Sequence, residues 1–284
     1  MNRRLSRRDV LKGSAAAALT VHASPILAAA PPAEPVTPAL IAAARKEGKV
    51  VHYTSVDLPL AEKVAKAFET KYPGIAVRVE RTGAERVFTR IAQERSSNIH
   101  ACDVVQSSDA AHFVVWKRDG ILAPFVPEEV ARHYSPEHKD ADGLFASYRV
   151  YLCVMARNTD LVKAEDAPKG YRDLLDPKWA GKIVKAHPGY SGTILTATYQ
   201  TARDVGWDYY ERLAKQRVMQ VQSATDTPKK LTLGERAIMI DGAGYLVIQA
   251  KEKGEPVDVI YPADRKSTRL NSSHLKLSRM PSSA

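Results

Sequence analysis

The sequence predicts an α/β protein built as two units, each with helices packed against a mostly parallel sheet. Three observations carry that expectation. Apolar, β-branched runs such as "KVVHYTS" alternate with segments whose apolar residues recur at helical spacing, and a βαβαβα order favours parallel strands covered by helices on both faces. Stop signals (Gly48, Pro73-Gly74, Gly120) fall where the helical periodicity ends. The 284 residues, 44% hydrophobic and 26% charged, suit one large or two medium domains with a sizeable core.

Taken in order, "PALIAAARKEG" reads as a short amphipathic helix closed by Gly48, and "KVVHYTS" as the first strand. In "DLPLAEKVAKAFETKYPG", Leu60, Val64, Ala67 and Phe68 form one helical face. "IAVRVERT" alternates as a strand, "GAERVFTRIAQERSS" follows as a helix, and "ACDVVQSSD" as a strand running into a polar loop. "AAHFVVWKRDG" is the next helix. Beyond a connector with Pro124, Pro127 and Pro136, "ASYRVYLCVMARNTD" reads as a long apolar strand. A loop-rich stretch, one helix ("ILTATYQTARDVGWDYYERLAKQ") and the strand "VMQVQS" come next. The remainder to Ala263 supplies helix, strand, helix and strand. The expected organisation is a first unit over 40–145, a second over 146–230, and a return to the first over 231–263. No tandem repeat of 20–50 residues is visible.

The formal charge of +10 would normally raise nucleic acid as a partner. Five basic residues against one acid lie within residues 1–28, and the same balance holds in 264–284, which leaves about +2 for the body between. A near-neutral body argues against nucleic acid. "MNRRLSRRDVLKG" is a charged leader, followed by an Ala-rich segment too short and mild to span a membrane stably. "SRRDVLK" resembles the twin-arginine export consensus, with Val10 where Phe is usual. Residues 1–30 are expected to be an export signal and 31–39 a Pro-rich linker, with no membrane span after the signal. Cys102 and Cys153 sit in apolar runs and are expected to be separate thiols, although an exported protein could join them.

In open parallel sheets, ligands bind beyond the C-terminal strand ends, where helix N-termini direct N–H groups and partial positive charge. Four loops meet that description: Tyr53–Asp57, Gln106–Asp109, His187–Thr193 and Asp241–Tyr245. Their small hydroxyl residues and glycines let backbone amides approach a ligand, although Ser and Thr are also ordinary helix caps. The candidate ligand-binding residues are Tyr53, Thr54, Ser55, Ser107, Ser108, Asp109, Ser191, Gly192, Thr193, Asp241 and Tyr245, with Tyr151 on the strand between the units; Tyr148 is its neighbour on that strand. Catalytic motifs are weaker. "GYSGT" resembles the G-x-S-x-G elbow, but Thr193 replaces the last Gly and a Pro-broken loop precedes it, so a hydrolase using Ser191 is disfavoured. "DGAG" lacks the third Gly of a dinucleotide fingerprint. The histidines lack metal-ligand spacing.

These segments together resemble one family. Residues Val50–Phe125 look like the first lobe of an ABC-importer solute-binding protein, Asp173–Ile183 ("DLLDPKWAGKI") resembles its D-L-L-D-P-K-W-x-G-K-I signature, and "LGERAIMIDGAGYLVIQAKEKGEPVDVIYPA" matches its closing segment. The resemblance implies the two-lobed type II periplasmic-binding fold with crossover strands, no enzymatic activity, a periplasmic location, a likeness to monomeric binders, and a membrane permease as partner. It points to the iron(III)- and organic-anion-binding subgroup. Iron binders of that kind present paired tyrosines on the late loop. Here Gly244 fills the first position and Tyr245 the second, so an iron set would be Tyr53, Asp241 and Tyr245, with Fe3+ as transported cargo. A small organic or phosphorylated anion fits the Ser and Thr loops better, and no cofactor is expected. Finally, "DRKSTRLNSSH" (Asp264–His274) matches one translated frame of a common short-read sequencing adapter. The expectation is that 264–284 is non-native and that the C-terminal part of the fold is missing.

Overall fold

A computed structural model describes residues 30–150 and 152–263. Thr37 opens helix α1 (Pro38–Glu47): its hydroxyl accepts the Leu40 N–H at 3.2 Å, and Gly48, at φ 74°, ends the helix in the left-handed region. Strand β1 (Lys49–Thr54) follows, then α2 (Leu58–Lys71), β2 (Ala76–Arg81), α3 (Ala84–Ser96), β3 (Val104–Gln106), α4 (Ala110–Arg118) and α5 (Glu128–His133). The three strands form a parallel sheet in the order β2-β1-β3, with Tyr53, Val87, Ile91 and Trp116 packed between sheet and helices. Residues 31–37 are not a free linker. The Glu34 N–H donates to the Val126 carbonyl at 2.9 Å and its carbonyl accepts from Glu128, which ties the entry segment to this first lobe.

The second lobe comprises β4 (Cys153–Asn158), β5 (Ile183–Ala186), α6 (Gly192–Val205), α7 (Asp208–Ala214), β6 (Met219–Val221), α8 (Asp226–Thr232), β7 (Ile238–Ala243), α9 (Gly244–Glu252) and β8 (Val257–Ile260). Its sheet runs β6-β5-β7-β4-β8. Two clusters fill its faces, one around Trp179, Tyr209 and Ile240, the other around Leu231, Met239 and Val247.

Three expectations need correction. Residues 231–263 do not return to the first lobe. Every residue of β7 is buried, and β7 lies between β5, parallel to it, and β4, antiparallel to it, with β8 on the far side of β4. An all-apolar strand is satisfied at the centre of a covered sheet, and the second lobe supplies that place. The second sheet is mostly parallel, as expected, with β4 alone running against its two neighbours. The long strand shrinks to Cys153–Asn158: β8 pairs only from Met155 onward, and Tyr148, Val150 and Leu152 lie exposed before it. The single helix beyond Ile194 is two, because Gly206 at φ 95° takes a conformation no helix contains. Cys102 and Cys153 are not joined by a disulfide. The leader and the tail beyond Ala263 lie outside the described residues.

Candidate functional site

Parallel strands align their C-terminal ends, and each lobe presents three: β1, β2 and β3 in the first, β5, β6 and β7 in the second. The two sets meet. Arg81, the last residue of β2, donates through Nε to the Val56 carbonyl at 3.1 Å and through Nη2 to Ser223 Oγ and Thr225 Oγ1 at 3.3 and 3.2 Å in the loop after β6. Tyr245, on the first turn of α9, donates its phenol proton to Asp57, the residue that caps α2. Elsewhere along the seam only glycine fits. A Cβ on Gly192 would stand 3.2 Å from the Asp109 backbone N, and one on Gly83 would stand 2.7 Å from the Tyr190 carbonyl oxygen.

Behind the first-lobe wall, polar groups are engaged with one another. Gln106 Oε1 accepts from Thr54 Oγ1 (2.7 Å), the Ser55 N–H (2.9 Å) and Ser55 Oγ (3.2 Å), which locks the ends of β1 and β3 together. Ser107 Oγ accepts the Asp109 N–H at 3.1 Å and lies 2.8 Å from His112 Nδ1. Asp109 caps α4 through the Ala111 N–H, and His112 Nε2 stands 3.3 Å from Glu85 Oε2. Thr54, Ser107 and Asp109 therefore set the shape of the wall through bonds within their own lobe. Ser108 lines the cavity, opposite Thr193 and Thr196 of the second lobe.

The facing wall is the start of α6. Ser191 occupies the cap position, is 7% exposed and makes no capping bond of its own, while Gly192 and Thr193 form the first turn. First-turn N–H groups have no partner inside a helix and carry the positive end of its dipole. The cavity measures about 1360 Å³ and extends from Thr193 and Thr196 past Tyr148 and Arg149 along the apolar side of the first lobe. The Arg149 guanidinium lies 5.7 Å from the Tyr245 ring centroid.

Two of the expected site residues are placed otherwise. Tyr53 is 1% exposed in the first-lobe core, its hydroxyl donating to Glu94 at 2.7 Å, so it offers no phenolate to the cleft. Asp241 belongs to β7 rather than a loop and is buried in an ion pair with Lys185, whose ammonium also reaches Thr198 Oγ1 at 3.0 Å. A carboxylate inside a covered sheet needs such a partner. Tyr151 lies outside the described residues. Tyr245 does face the seam, and burial followed by the Asp57 carboxylate holds its phenol protonated well above the usual tyrosine range. Sequence reasoning passed over Arg81, Arg149, Ser223 and Thr225, and reached Asp57 and Gln106 only as the ends of candidate loops. The available signal for Arg81 was its position: a cation closing the alternation of "AVRVER" falls at a C-terminal strand end.

A family model described as bacterial extracellular solute-binding protein matches residues 102–265. A probable ABC transporter periplasmic-binding protein of Sinorhizobium fredii is 23% identical over 203 residues, which is 68% of this chain and 56% of that protein, so the chain spans a little over half the length of that relative. Among solved structures, the periplasmic binding protein AfuA of Actinobacillus pleuropneumoniae, determined with fructose-6-phosphate bound, superposes with a TM-score of 0.69 at 26% identity, covering 77% of this chain and 70% of that one. Iron-bound HitA of Pseudomonas aeruginosa superposes with a TM-score of 0.61 at 24% identity over 75% and 69% of the two chains, a likeness of fold. Among the described residues no helix is long and apolar enough to cross a membrane. The two-lobed α/β architecture and the match over more than half the sequence agree: this chain belongs to the bacterial extracellular solute-binding protein family.

Proposed function

We propose that the chain is the solute-capturing component of an ABC importer, which closes its lobes on a small organic or phosphorylated anion and delivers it to a membrane permease from the periplasm. The observation that carries this reading is the composition of the seam. Arg81 crosses it to the hydroxyls of Ser223 and Thr225, Arg149, Ser108 and Thr193 line the cavity, and Ser191 stands at the start of α6. Guanidinium groups, hydroxyls and first-turn N–H groups are donors suited to an oxyanion. The nearby acids have other work: Asp57 receives Tyr245, and Asp109 caps its helix. The sugar phosphate held by AfuA supports the same ligand class. Arrival through a twin-arginine signal and action as a monomer belong to this reading.

Ferric iron is less well served. It prefers anionic oxygen ligands, and of Tyr53, Asp241 and Tyr245 only Tyr245 reaches the cleft, as a protonated phenol. Turnover at Ser191 is not supported either, because the neighbouring His187 accepts the Gly189 N–H through Nδ1 at 3.0 Å. Capture without chemistry, coupled to hinge closure, remains. Calorimetric titration with fructose 6-phosphate, inorganic phosphate and a set of di- and tricarboxylates tests it. At least one should bind saturably, and Arg81→Gln should weaken that binding roughly ten- to a hundredfold, as loss of a charge-assisted hydrogen bond implies. Silence across the whole set, together with tight uptake of ferric citrate, would overturn the proposal.

A further inference from the structure

The starts of α3 and α4 bring three metal-ligating side chains to one place inside the first lobe. Asp109 caps α4, His112 stands on the first turn of that helix, and Glu85 is the second residue of α3. His112 Nε2 lies 3.3 Å from Glu85 Oε2 and 4.0 Å from Asp109 Oδ2, and one ligand atom from each residue lies within 4.8 Å of the other two. The side chains of His112 and Asp109 are 6% and 10% exposed, and that of Glu85 is 26% exposed, which leaves a path from solvent.

Two observations point beyond a hydrogen-bonded cluster. The first is charge. Among the described residues neither carboxylate has a Lys or Arg nitrogen within 4.0 Å, so two acids face one imidazole. Even a protonated ring would leave one negative charge unmatched, and buried charges are ordinarily paired or bound to a metal. The second is an orphaned atom: Glu85 Oε1 is buried and makes no hydrogen bond. A cation needs no open cavity to serve these atoms. At about 2.0–2.2 Å from each ligand it fits between atoms roughly 3.3–3.5 Å apart, the edge of a tetrahedron. His112 and Glu85 already stand at that separation, and a shift of about half an ångström at Asp109 Oδ2 completes the triangle.

The atoms turned away from the centre are already held. The Ala111 N–H donates to Asp109 Oδ1 at 2.9 Å, and Ser107 Oγ lies 2.8 Å from His112 Nδ1. With Ser107 accepting the Nδ1 proton, the Nε2 lone pair faces the two carboxylates, which is the tautomer a metal ligand needs. We propose that Glu85, Asp109 and His112 form a resident divalent-metal site of the first lobe, taking Zn2+ or a similar transition metal on Glu85 Oε2, Asp109 Oδ2 and His112 Nε2. Two carboxylates and a neutral imidazole balance a dication, and the nitrogen ligand favours a transition metal over Mg2+ or Ca2+. All three ligands belong to one lobe, so opening the cleft leaves the site whole. The ion would pin Asp109, the residue against whose backbone Gly192 of the second lobe closes.

The test needs no knowledge of the transported solute. The full 284-residue protein, stripped with chelator, is titrated by calorimetry near neutral pH with Zn2+ in one arm and Mg2+ in another. The expected result is saturable uptake of one zinc per chain that Mg2+ does not reproduce. Ser107→Ala, which releases Nδ1, should weaken uptake about tenfold, as loss of an outer-shell partner does, and Glu85→Gln and Asp109→Asn should each weaken it further. His133 and Glu129, an exposed pair 3.2 Å apart on α5, offer the commonplace surface alternative, and His133→Gln should leave uptake intact. Because Glu85 is partly exposed and its Oε1 has no partner to lose, Glu85→Gln carries the test even if a change at Asp109 disturbs the seam. Absence of saturable uptake, equal uptake of Mg2+, uptake unchanged by Glu85→Gln, or uptake lost with His133→Gln overturns the proposal.

Discussion

Tyr53 sets its phenol against Glu94 and its ring 4.2 Å from the Arg90 guanidinium carbon. Burial first, and then the bond and charge of Glu94, push its pKa from the usual 10.0 up to about 12. Folding therefore favours the neutral phenol. Below pH 10 both folded and unfolded chains keep the proton and the contribution is complete. As pH rises from 10.0 towards 12, the unfolded chain ionises first and the contribution is lost. Urea unfolding measured across that window should show wild type losing stability more steeply than Tyr53→Phe, and parallel curves would refute this account. The Lys185–Asp241 pair illustrates a different constraint. Its side chains are 7% and 4% exposed, so removing either partner strands a buried charge, at a cost of about 3–5 kcal/mol. That requirement keeps Asp241 inside the sheet and away from any ligand.

At the scale of elements, α6 shows how one residue serves both a helix and a seam. Replacing Gly192 with Ala would by helix propensity alone stabilise the helix by up to about 1 kcal/mol. The new Cβ would instead meet the Asp109 backbone across the seam, where neither side is a flexible side-chain end. Gly192→Ala should therefore weaken binding of whichever anion the titration identifies while leaving the thermal stability of the second lobe within about 1 kcal/mol of wild type; undiminished affinity would show that the lobes yield there. Much of this level was legible beforehand. The periodicity and stops of α1 to α4, the three strands of the first sheet, and the cleft-facing loops at Ser108, Ser191 and Thr193 follow from local pattern and from the rule of strand ends. Pairing partners did not follow, because a strand's own residues do not say which sheet receives it. The run "AIMIDGA" reads the same in either lobe, and only its neighbours β5 and β4 settle its place. For the same reason Asp241 and Tyr53 looked like loop ligands, whereas Arg81 became visible only when Ser223 and Thr225 arrived from 142 and 144 residues away.

For the whole molecule, the contact between lobes is narrow and polar. Among the described residues it includes the Arg81 bridge to Ser223 and Thr225, the Tyr245–Asp57 bond, the Arg86 guanidinium 5.7 Å from the Tyr190 ring centroid, and two glycine approaches. A hydrogen bond of this kind contributes roughly 0.5–1.5 kcal/mol net, so these few favour closure by only a small margin without ligand. A bound solute can complete closure only through contacts it makes in the closed state and lacks in the open one. Removing the bridges while sparing Arg81 isolates that margin. The double variant Thr225→Val with Tyr245→Phe deletes one Arg81 acceptor in the second lobe and the proton given to Asp57, yet leaves both helices and both sheets untouched. Small-angle scattering of the ligand-free protein should then show a larger radius of gyration than wild type, because the lobes separate about β4 and the segment before it. Saturating anion should restore part of the compactness, with weaker apparent affinity, since the solute must now supply what the bridges had contributed. Identical scattering from variant and wild type would mean that the contacts left in place, Arg81–Ser223 and the glycine seams among them, hold the lobes together, and the role assigned to the two deleted bonds would fall.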